Sequence, residues 1–232
     1  MKARVKFAKT GSMKFIGHLD IMRYFQKAIR RADIDIAYSE GFSPHMIMSF
    51  AAPLGVGIES YGEYFDMELK SADSSEEMKA RLNKAMVEGM EIVSIVQVPG
   101  GKASKAMSLV AAADYTMKFR EGYVPCEDWK TRFTSFMEQE QINVIKKTKK
   151  SEQEIDIRPH IYKYQLQEDD SVMLQVAAGS AMNLKPELVM EAFYGYLGME
   201  WDMLAVCTTR LEVYADVDGT LVSLESLGVD FG

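Results

Sequence analysis

The sequence predicts an α+β protein made of two tandem ferredoxin-like units with antiparallel sheets. Three observations lead to this prediction: segments in which polar and apolar residues alternate, segments with helical periodicity, and an order of these elements that occurs twice. Each half is ordered β-α-β-β-α-β, the split βαβ pattern. The segment GGKASKA separates the halves, which gives an N-terminal unit at 1–100 with the candidate site and a C-terminal unit at 101–232.

In the first half, the clearest helix signal lies between residues 18 and 32. Apolar residues recur there with a spacing of about 3.6, and charged residues occupy the opposite face. Ser74, followed three positions later by Glu77, forms a capping box that starts a second helix. The predicted elements, in order, are a strand at 3–9, a helix at 18–32, extended segments at 34–38 and 46–51, a strand at 61–70, a helix from Ser74 and a strand at 90–98.

The second half repeats this order of elements with different residues. Pro125 precedes one helix, and a second helix has Pro186 in its first turn and Gly198 after its end. The predicted elements are a strand at 109–120, the first helix, a short strand at 142–148, a hairpin of strands at 154–167 and 172–178, the second helix at about 185–197 and a strand at 203–214. Residues 215–232 are predicted to form a loop.

The cysteine content and the lack of long apolar runs argue against several classes of protein. Only Cys126 and Cys207 are present, so a disulfide framework, a cysteine zinc site or an iron–sulfur cluster is not expected. No apolar run approaches the ~20 residues of a membrane span. Phosphate-loop, dinucleotide-binding, zinc-protease and serine-elbow motifs are also missing. We therefore expect a cytoplasmic protein with no membrane association, no cofactor and no assigned metal.

The net charge of −7 is distributed unevenly along the chain. Residues 1–60 carry nine Lys and Arg against five Asp and Glu, whereas residues 161–232 carry three against twelve. An acidic protein is not expected to bind nucleic acid loosely and without specificity. A local basic groove in the N-terminal segment remains compatible with this balance.

The first predicted helix brings together residues that can carry chemistry. His18 opens it, where free backbone N–H groups and the positive end of the helix dipole favour an anion. Asp20 and Arg23 follow within one turn, so that all three can reach the mouth of one pocket. Lys27 and Arg30 continue the polar face. The alternative is that His18 only caps the helix and that the charged face is simply solvated.

Residues 38–45, YSEGFSPH, have the composition of a ligand-binding loop. Gly41 permits a positive φ, Pro44 restricts the turn, and serine hydroxyls can donate to a phosphate or to the backbone. The candidate binding residues of this region are Tyr38, Ser39, Gly41, Phe42, Ser43, Pro44 and, in the following small-residue stretch, Ser49. His45 is a candidate catalytic residue, the alternative being an ordinary turn residue. His18 and His45 lack the close spacing of a metal site, so no metal is assigned.

The segments FIGHLDIMR, RRADIDIAYSEGFSPH and MSFAAPLGVGIES together resemble the radical SAM-linked protein family, a bacterial family of unknown function. Its members occur alone or fused to radical SAM enzymes. The resemblance is strongest over residues 1–70 and continues through SEQEIDIRPHIY, which adds Arg158 as a binding residue. Before His18 the family tends to have serine, whereas this chain has Gly17. The resemblance implies a partner or substrate-presenting module, because two distant cysteines cannot supply the cluster of a radical SAM enzyme.

Three functional hypotheses follow. The first is an accessory binding module for RNA that works with a radical SAM enzyme and grips RNA through the basic helix face and the loop at 38–45. The second is a phosphoryl-transfer or RNA-cleaving enzyme in which His18 and His45 act as general acid and base and Arg23 stabilises developing charge. The third is a purely structural protein adaptor that docks through its acidic C-terminal third.

Overall fold

The computed structural model describes residues 1–101, 104–147 and 152–232 and shows a mixed α+β protein whose strand pairings are mainly antiparallel. The chain forms two compact units, Met1–Ala112 with Arg210–Gly232 and Ala113–Thr209. The sequence placed one boundary between residues 100 and 101, whereas in the structure the last 23 residues, 210–232, group with the first unit.

The first unit contains most of the N-terminal half of the chain. Its elements are β1 (Lys2–Lys9), α1 (His18–Arg31), β2 (Met48–Phe50), β3 (Glu59–Glu68), α2 (Ser75–Lys84), β4 (Met90–Gln97) and the short α3 (Ala106–Leu109). Strand β1 lies between β3 and β4 and is antiparallel to both, and β2 pairs antiparallel with β3. Ser74 caps α2 in the predicted capping box, with its hydroxyl accepting from the Glu77 N–H.

The two longer helices of the first unit, α1 and α2, pack their apolar residues on one face of this sheet. Phe25 of α1 is fully buried, and its ring centroid lies 4.7 Å from that of Phe7 and 4.8 Å from that of Phe65. Phe50 of β2 completes the aromatic cluster, and Met78 of α2 belongs to the same core. The helical periodicity of α1 therefore corresponds to its buried face, as predicted.

The opposite face of the same sheet is polar, although it is also buried. Arg4 is 1% exposed and donates to Asp66 at 2.8 Å. Lys6 donates to Glu212 at 2.7 Å and to Glu225 at 2.5 Å. Burial lowers the pKa of Lys6, but the bonds to the two glutamates outweigh it, so that the pKa is raised. The two ion pairs of Lys6 hold residues of the C-terminal segment against β1.

The second unit has its own set of strands and helices. Its elements are β5 (Val110–Phe119), α4 (Trp129–Met137), β6 (Asn143–Lys147), β7 (Glu152–Asp156), β8 (Ile161–Leu166), β9 (Ser171–Ala177), α5 (Pro186–Tyr196) and the start of β10 (Val206–Val217). The strand order is β10-β5-β9-β8, and β6 and β7 form a separate antiparallel pair. Strand β10 continues into the first unit, where it lies beside β3 and pairs with β11 (Thr220–Ser223).

Three predicted elements differ from the structure. The predicted strand at 154–167 is two strands, because Pro159 lies in a 3-10 turn, Arg158–His160, and cannot donate to a strand ladder. The predicted C-terminal loop contains the β10–β11 hairpin, whose two-residue turn, Asp218 and Gly219, has φ values of 51° and 83°. In the segments at 34–38 and 46–51, only β2 is a strand, and the rest forms isolated bridges. Residue 148 of the predicted strand at 142–148 lies outside the described residues.

Candidate functional site

The polar face of α1 carries the predicted cations, and they are exposed. Arg23 pairs with Asp20 at 3.2 Å, and both side chains are about two-thirds exposed, so this pair is a solvated one. Lys27 and Arg30 are exposed and make no hydrogen bond or ion pair with any residue that the structure describes. The two charges are therefore available to a ligand.

The C-terminal end of α1 borders two open cavities, which we call the α1–α2 groove. One, of about 430 Å³, is lined by Arg30, Tyr38, Lys70 and Arg81 among others. The other, of about 670 Å³, is lined by Arg31, Arg81 and Lys84 among others. Both cavities share Asp33 and Arg81, so they form one continuous surface at this end of the helix. The groove thus joins the predicted residues Arg30 and Tyr38 to Arg31, which follows on the same helix, and to three cations from outside α1: Lys70, Arg81 and Lys84.

Hydrogen bonds between its two ends close the loop at 38–45. The Ser39 hydroxyl lies 2.8 Å from Nδ1 of His45 and accepts from the His45 N–H at 3.1 Å. The Ser39 N–H donates to the His45 carbonyl at 2.9 Å. Gly41 has a φ of 106°, which suits glycine, as the sequence indicated. His45 is therefore engaged in shaping the loop.

The tip of the loop presents side chains to solvent. Phe42 is fully exposed, and Ser43 and Pro44 are exposed beside it. Tyr38 at the base of the loop is 39% exposed. An exposed phenylalanine on a closed loop contributes nothing to a core, and its ring is free to stack on a planar ligand.

His18 and His45 line different cavities. His45 lies with Ser49 and Asp66 on a cavity of about 640 Å³. His18 lies at the start of α1, with its ring edge-on to Phe50 at 5.2 Å, and lines a small cavity that His45 does not reach. Ser49 and Phe50 are consecutive in β2, and consecutive strand residues point to opposite faces. The described cavities therefore give the two histidines no common lining.

The small cavity beside His18 contains buried charges that the sequence analysis missed. Lys9, 3% exposed, and Glu63, 6% exposed, line it together with His18 and Phe50. Arg210 donates to Glu63 through Nε at 2.9 Å and through Nη2, and Nη2 also donates to the Ala52 carbonyl at 2.6 Å. Burial lowers the pKa of Lys9, with Glu63 opposing and Arg210 adding to the effect. In the sequence, Lys9 resembles any other polar residue of an alternating strand.

Arg158 lies in the second unit and holds the backbone there. Its Nε donates to the Met137 carbonyl at 2.9 Å, at the end of α4, and its Nη1 donates to the Ile161 carbonyl at 3.2 Å. These bonds satisfy carbonyl groups at an element boundary. They indicate a structural contribution of this side chain.

The described residues contain neither a candidate metal cluster nor a candidate membrane-spanning helix. Within residues 1–101, 104–147 and 152–232, no group of three or more His, Cys, Asp and Glu side chains could hold a metal ion. In the same ranges, no helix has the length and apolar character needed to cross a membrane.

Two solved structures have limited likeness to the chain. One is a crystal structure of a Cbf5-Nop10-Gar1 complex, at 9% identity and a TM-score of 0.44, with 91% of this chain covered. The chain spans about half, 48%, of the length of the matched chain. The other is an unknown protein from Galdieria sulphuraria, at 13% identity and a TM-score of 0.26, with coverage of 90% and 96% of the two chains.

The sequence matches one family of bacterial proteins. No curated protein matched the sequence. Residues 2–186 match a family described as "Uncharacterized protein conserved in bacteria (DUF2344)". Since the match covers most of the 232 residues, the chain belongs to this bacterial family.

Proposed function

We propose that the chain is a cytoplasmic accessory module that binds single-stranded RNA in the α1–α2 groove and presents it to a radical SAM enzyme. The observation that carries the proposal is the grouping of exposed cations around the groove with an exposed aromatic residue at its edge. Phosphate groups suit the cations, and base rings suit the aromatic residues.

The charge balance of the groove supports an anionic ligand. Arg81 is neutralised by Asp73 at 2.6 Å. Four further cations of the lining form no ion pair with the described residues: Arg30, Arg31, Lys70 and Lys84. Lys27, also exposed and without an ion pair among these residues, precedes Arg30 and Arg31 by one turn of α1. Arg31 donates to the Ala85 carbonyl at 3.0 Å, which fixes its side chain without neutralising its charge. Five cations thus line the groove against three carboxylates, Asp33, Asp35 and Asp73, which leaves a balance of +2 in a protein whose net charge is −7.

The aromatic residues favour a single strand over a duplex. Tyr38 lines the same cavity as Arg30, and Phe42 stands fully exposed on the adjoining loop. Bases of a single strand can be splayed out and stacked on such rings, whereas the bases of a duplex are already stacked.

Two further parts of the proposal have narrower support. The partnership with a radical SAM enzyme is supported by the sequence resemblance over residues 1–70. The assignment of the first unit to the ferredoxin-like fold is supported by the order β-α-β-β-α-β and by the strand order β4-β1-β3 with β2 paired to β3. The second unit has the same order once the separate β6–β7 pair, which lies between α4 and β8 in the chain, is set aside. The histidine-dependent enzyme gains no support from the cavities, since His18 and His45 do not share one.

The test is binding of a fluorescent single-stranded RNA, followed by anisotropy at several salt concentrations. Five phosphate contacts give a slope of log affinity against log salt of about −3.5, since each contact contributes about −0.7 for a single strand. The Lys27→Ala/Arg30→Ala variant is expected to weaken binding and to reduce the slope by about 1.4.

The matched control removes the same charge from the second unit. Lys163→Ala/Lys185→Ala changes two exposed lysines that make no ion pair with the described residues. It is expected to bind RNA as the wild type does. Equal losses in both variants would indicate a non-specific charge effect, and no loss in Lys27→Ala/Arg30→Ala would overturn the groove as the RNA site. Co-purification of wild-type protein from its native cells then tests whether a radical SAM enzyme is retained with it.

A further inference from the structure

The buried lysine next to the start of α1 lacks a partner. Lys9 is 3% exposed, yet its ammonium makes no hydrogen bond or ion pair with the part of the chain that the structure describes. The nearest carboxylate in the cavity lining, Glu63, is held by Arg210. Glu63 therefore does not neutralise Lys9 by direct contact. An unpaired buried charge destabilises the folded state. A bound anion would compensate the charge of Lys9.

The same cavity meets the start of a helix that is open to an anion. It is lined by Ile16, His18 and Ile21, which flank and form the first turn of α1. Gly17 precedes the helix and provides no side-chain cap. The N–H groups of His18 and Leu19 have no acceptor among the described residues, because the first backbone bonds to the Gly17 carbonyl come from Asp20 and Ile21. Free N–H groups and the helix dipole favour negative charge at this point.

From this arrangement we infer that the cavity beside the first turn of α1 is a phosphate-binding site. Lys9 contributes its ammonium group from the cavity wall. The N–H groups of His18 and Leu19 contribute hydrogen-bond donors from the helix, and the His18 ring lies at the mouth of the cavity. The free volume of about 10 Å³ is roughly that of one water molecule. One oxygen of the phosphate therefore enters the cavity, and the rest of the group lies outside, against the helix.

The site does not depend on the proposed RNA function. Its lining residues are not those of the α1–α2 groove. His18 and Arg30 are twelve residues apart on α1, which is about 18 Å along the axis at 1.5 Å per residue. The phosphate site can therefore prove absent while the groove binds RNA. Equally, the groove can prove unable to bind RNA while the phosphate site is present.

Isothermal titration calorimetry with inorganic phosphate, at constant ionic strength set by chloride, tests the inference. The wild type is expected to bind one phosphate per chain in a saturable manner. Lys9→Met is expected to raise the Kd by at least about tenfold, since a charge-assisted hydrogen bond contributes at least that much to affinity. His18→Ala changes a half-buried residue at the rim of the cavity, and it is expected to weaken binding severalfold.

The controls separate this site from other cations. Lys163→Met and the groove variant Lys27→Ala/Arg30→Ala are both expected to retain the phosphate affinity of the wild type. Absence of saturable phosphate binding by the wild type overturns the inference whether or not Lys9→Met folds. Unchanged affinity in a folded Lys9→Met protein overturns it as well.

Two further titrations identify the source of the phosphate. A nucleoside monophosphate carries a terminal phosphate, and a dinucleotide without terminal phosphates carries only a diester. Binding of the monophosphate alone assigns the site to a terminal phosphate, whereas binding of both assigns it to the backbone of a nucleic acid. Loss of each in Lys9→Met is the expected result in either case.

Discussion

Replacing Glu63 by glutamine tests how the buried charges of the first unit are balanced. Arg210 and Glu63 have side chains only 4% and 7% exposed. Breaking a buried ion pair by removing one partner costs about 3–5 kcal/mol. Glutamine still offers an oxygen to Arg210, so we expect the lower end, about 3 kcal/mol. For a protein of this size that corresponds to a melting temperature lower by about 6–12 °C.

A second substitution identifies the source of this loss. In Glu63→Gln, Lys9 faces Arg210 without an intervening carboxylate, so removing the lysine charge in Lys9→Met relieves part of the repulsion. We expect Lys9→Met alone to be neutral or stabilising in phosphate-free buffer, and the double variant to recover about 1–2 kcal/mol relative to the sum of the single effects.

The assay must report on the first unit. Both tryptophans, Trp129 and Trp201, lie in the second unit, so tryptophan fluorescence follows that unit alone. Circular dichroism during urea unfolding follows both units together, so hydrogen exchange of the β1 and β3 amides provides the measurement that is specific to the first unit. Additive effects of the two substitutions, or a loss in Lys9→Met as large as that in Glu63→Gln, would refute the reasoning.

Three other predictions concern stability. Burial raises the pKa of Glu225, but the hydrogen bonds from Lys6 and Ser94 and the charge of Lys6 together outweigh it and the pKa is lowered. The stabilisation is therefore present above pH 4.5 and is lost as the pH falls through the folded value. The difference in unfolding free energy between wild type and Glu225→Gln should therefore shrink below pH 4.5 in acid titrations. Ser74→Ala removes the cap of α2 and should cost about 1 kcal/mol in urea unfolding. Gly62→Ala should cost about 1–3 kcal/mol in the same assay, because a Cβ there would lie 2.6 Å from the Glu212 Cα.

Each of these predictions has a control and a contrary result. A difference between wild type and Glu225→Gln that is constant from pH 7 to pH 3 would show that the ion pair does not carry the acid sensitivity. Ser43→Ala, at an exposed loop position, should leave stability unchanged. A loss of stability in Ser43→Ala equal to that in Ser74→Ala would show that the loss does not come from the helix cap. Gly100→Ala should be neutral because a Cβ there meets nothing within 4 Å, and a neutral Gly62→Ala would show that β3 and β10 can separate.

Local patterns in the sequence were sufficient for much of the first unit. The buried face of α1 follows from residue spacing, and the capping box at Ser74 follows from two residues three positions apart, because both depend on neighbours within one or two turns. The turn at Asp218 and Gly219 was also readable from sequence, since this dipeptide is a strong hairpin signal. The sequence analysis misses this hairpin because it assigns residues 215–232 to a loop.

Only the tertiary structure decided where the functional side chains meet. The sequence alone selected Arg30, Tyr38 and His18, but it could not show that Arg30 and Tyr38 share a groove while His18 and His45 do not share a cavity. The ion pair between Glu63 and Arg210 joins residues 147 positions apart. Periodicity reports which face of an element is buried, whereas contacts between distant elements depend on how strands pair and register, and one sequence carries no local signal of that pairing.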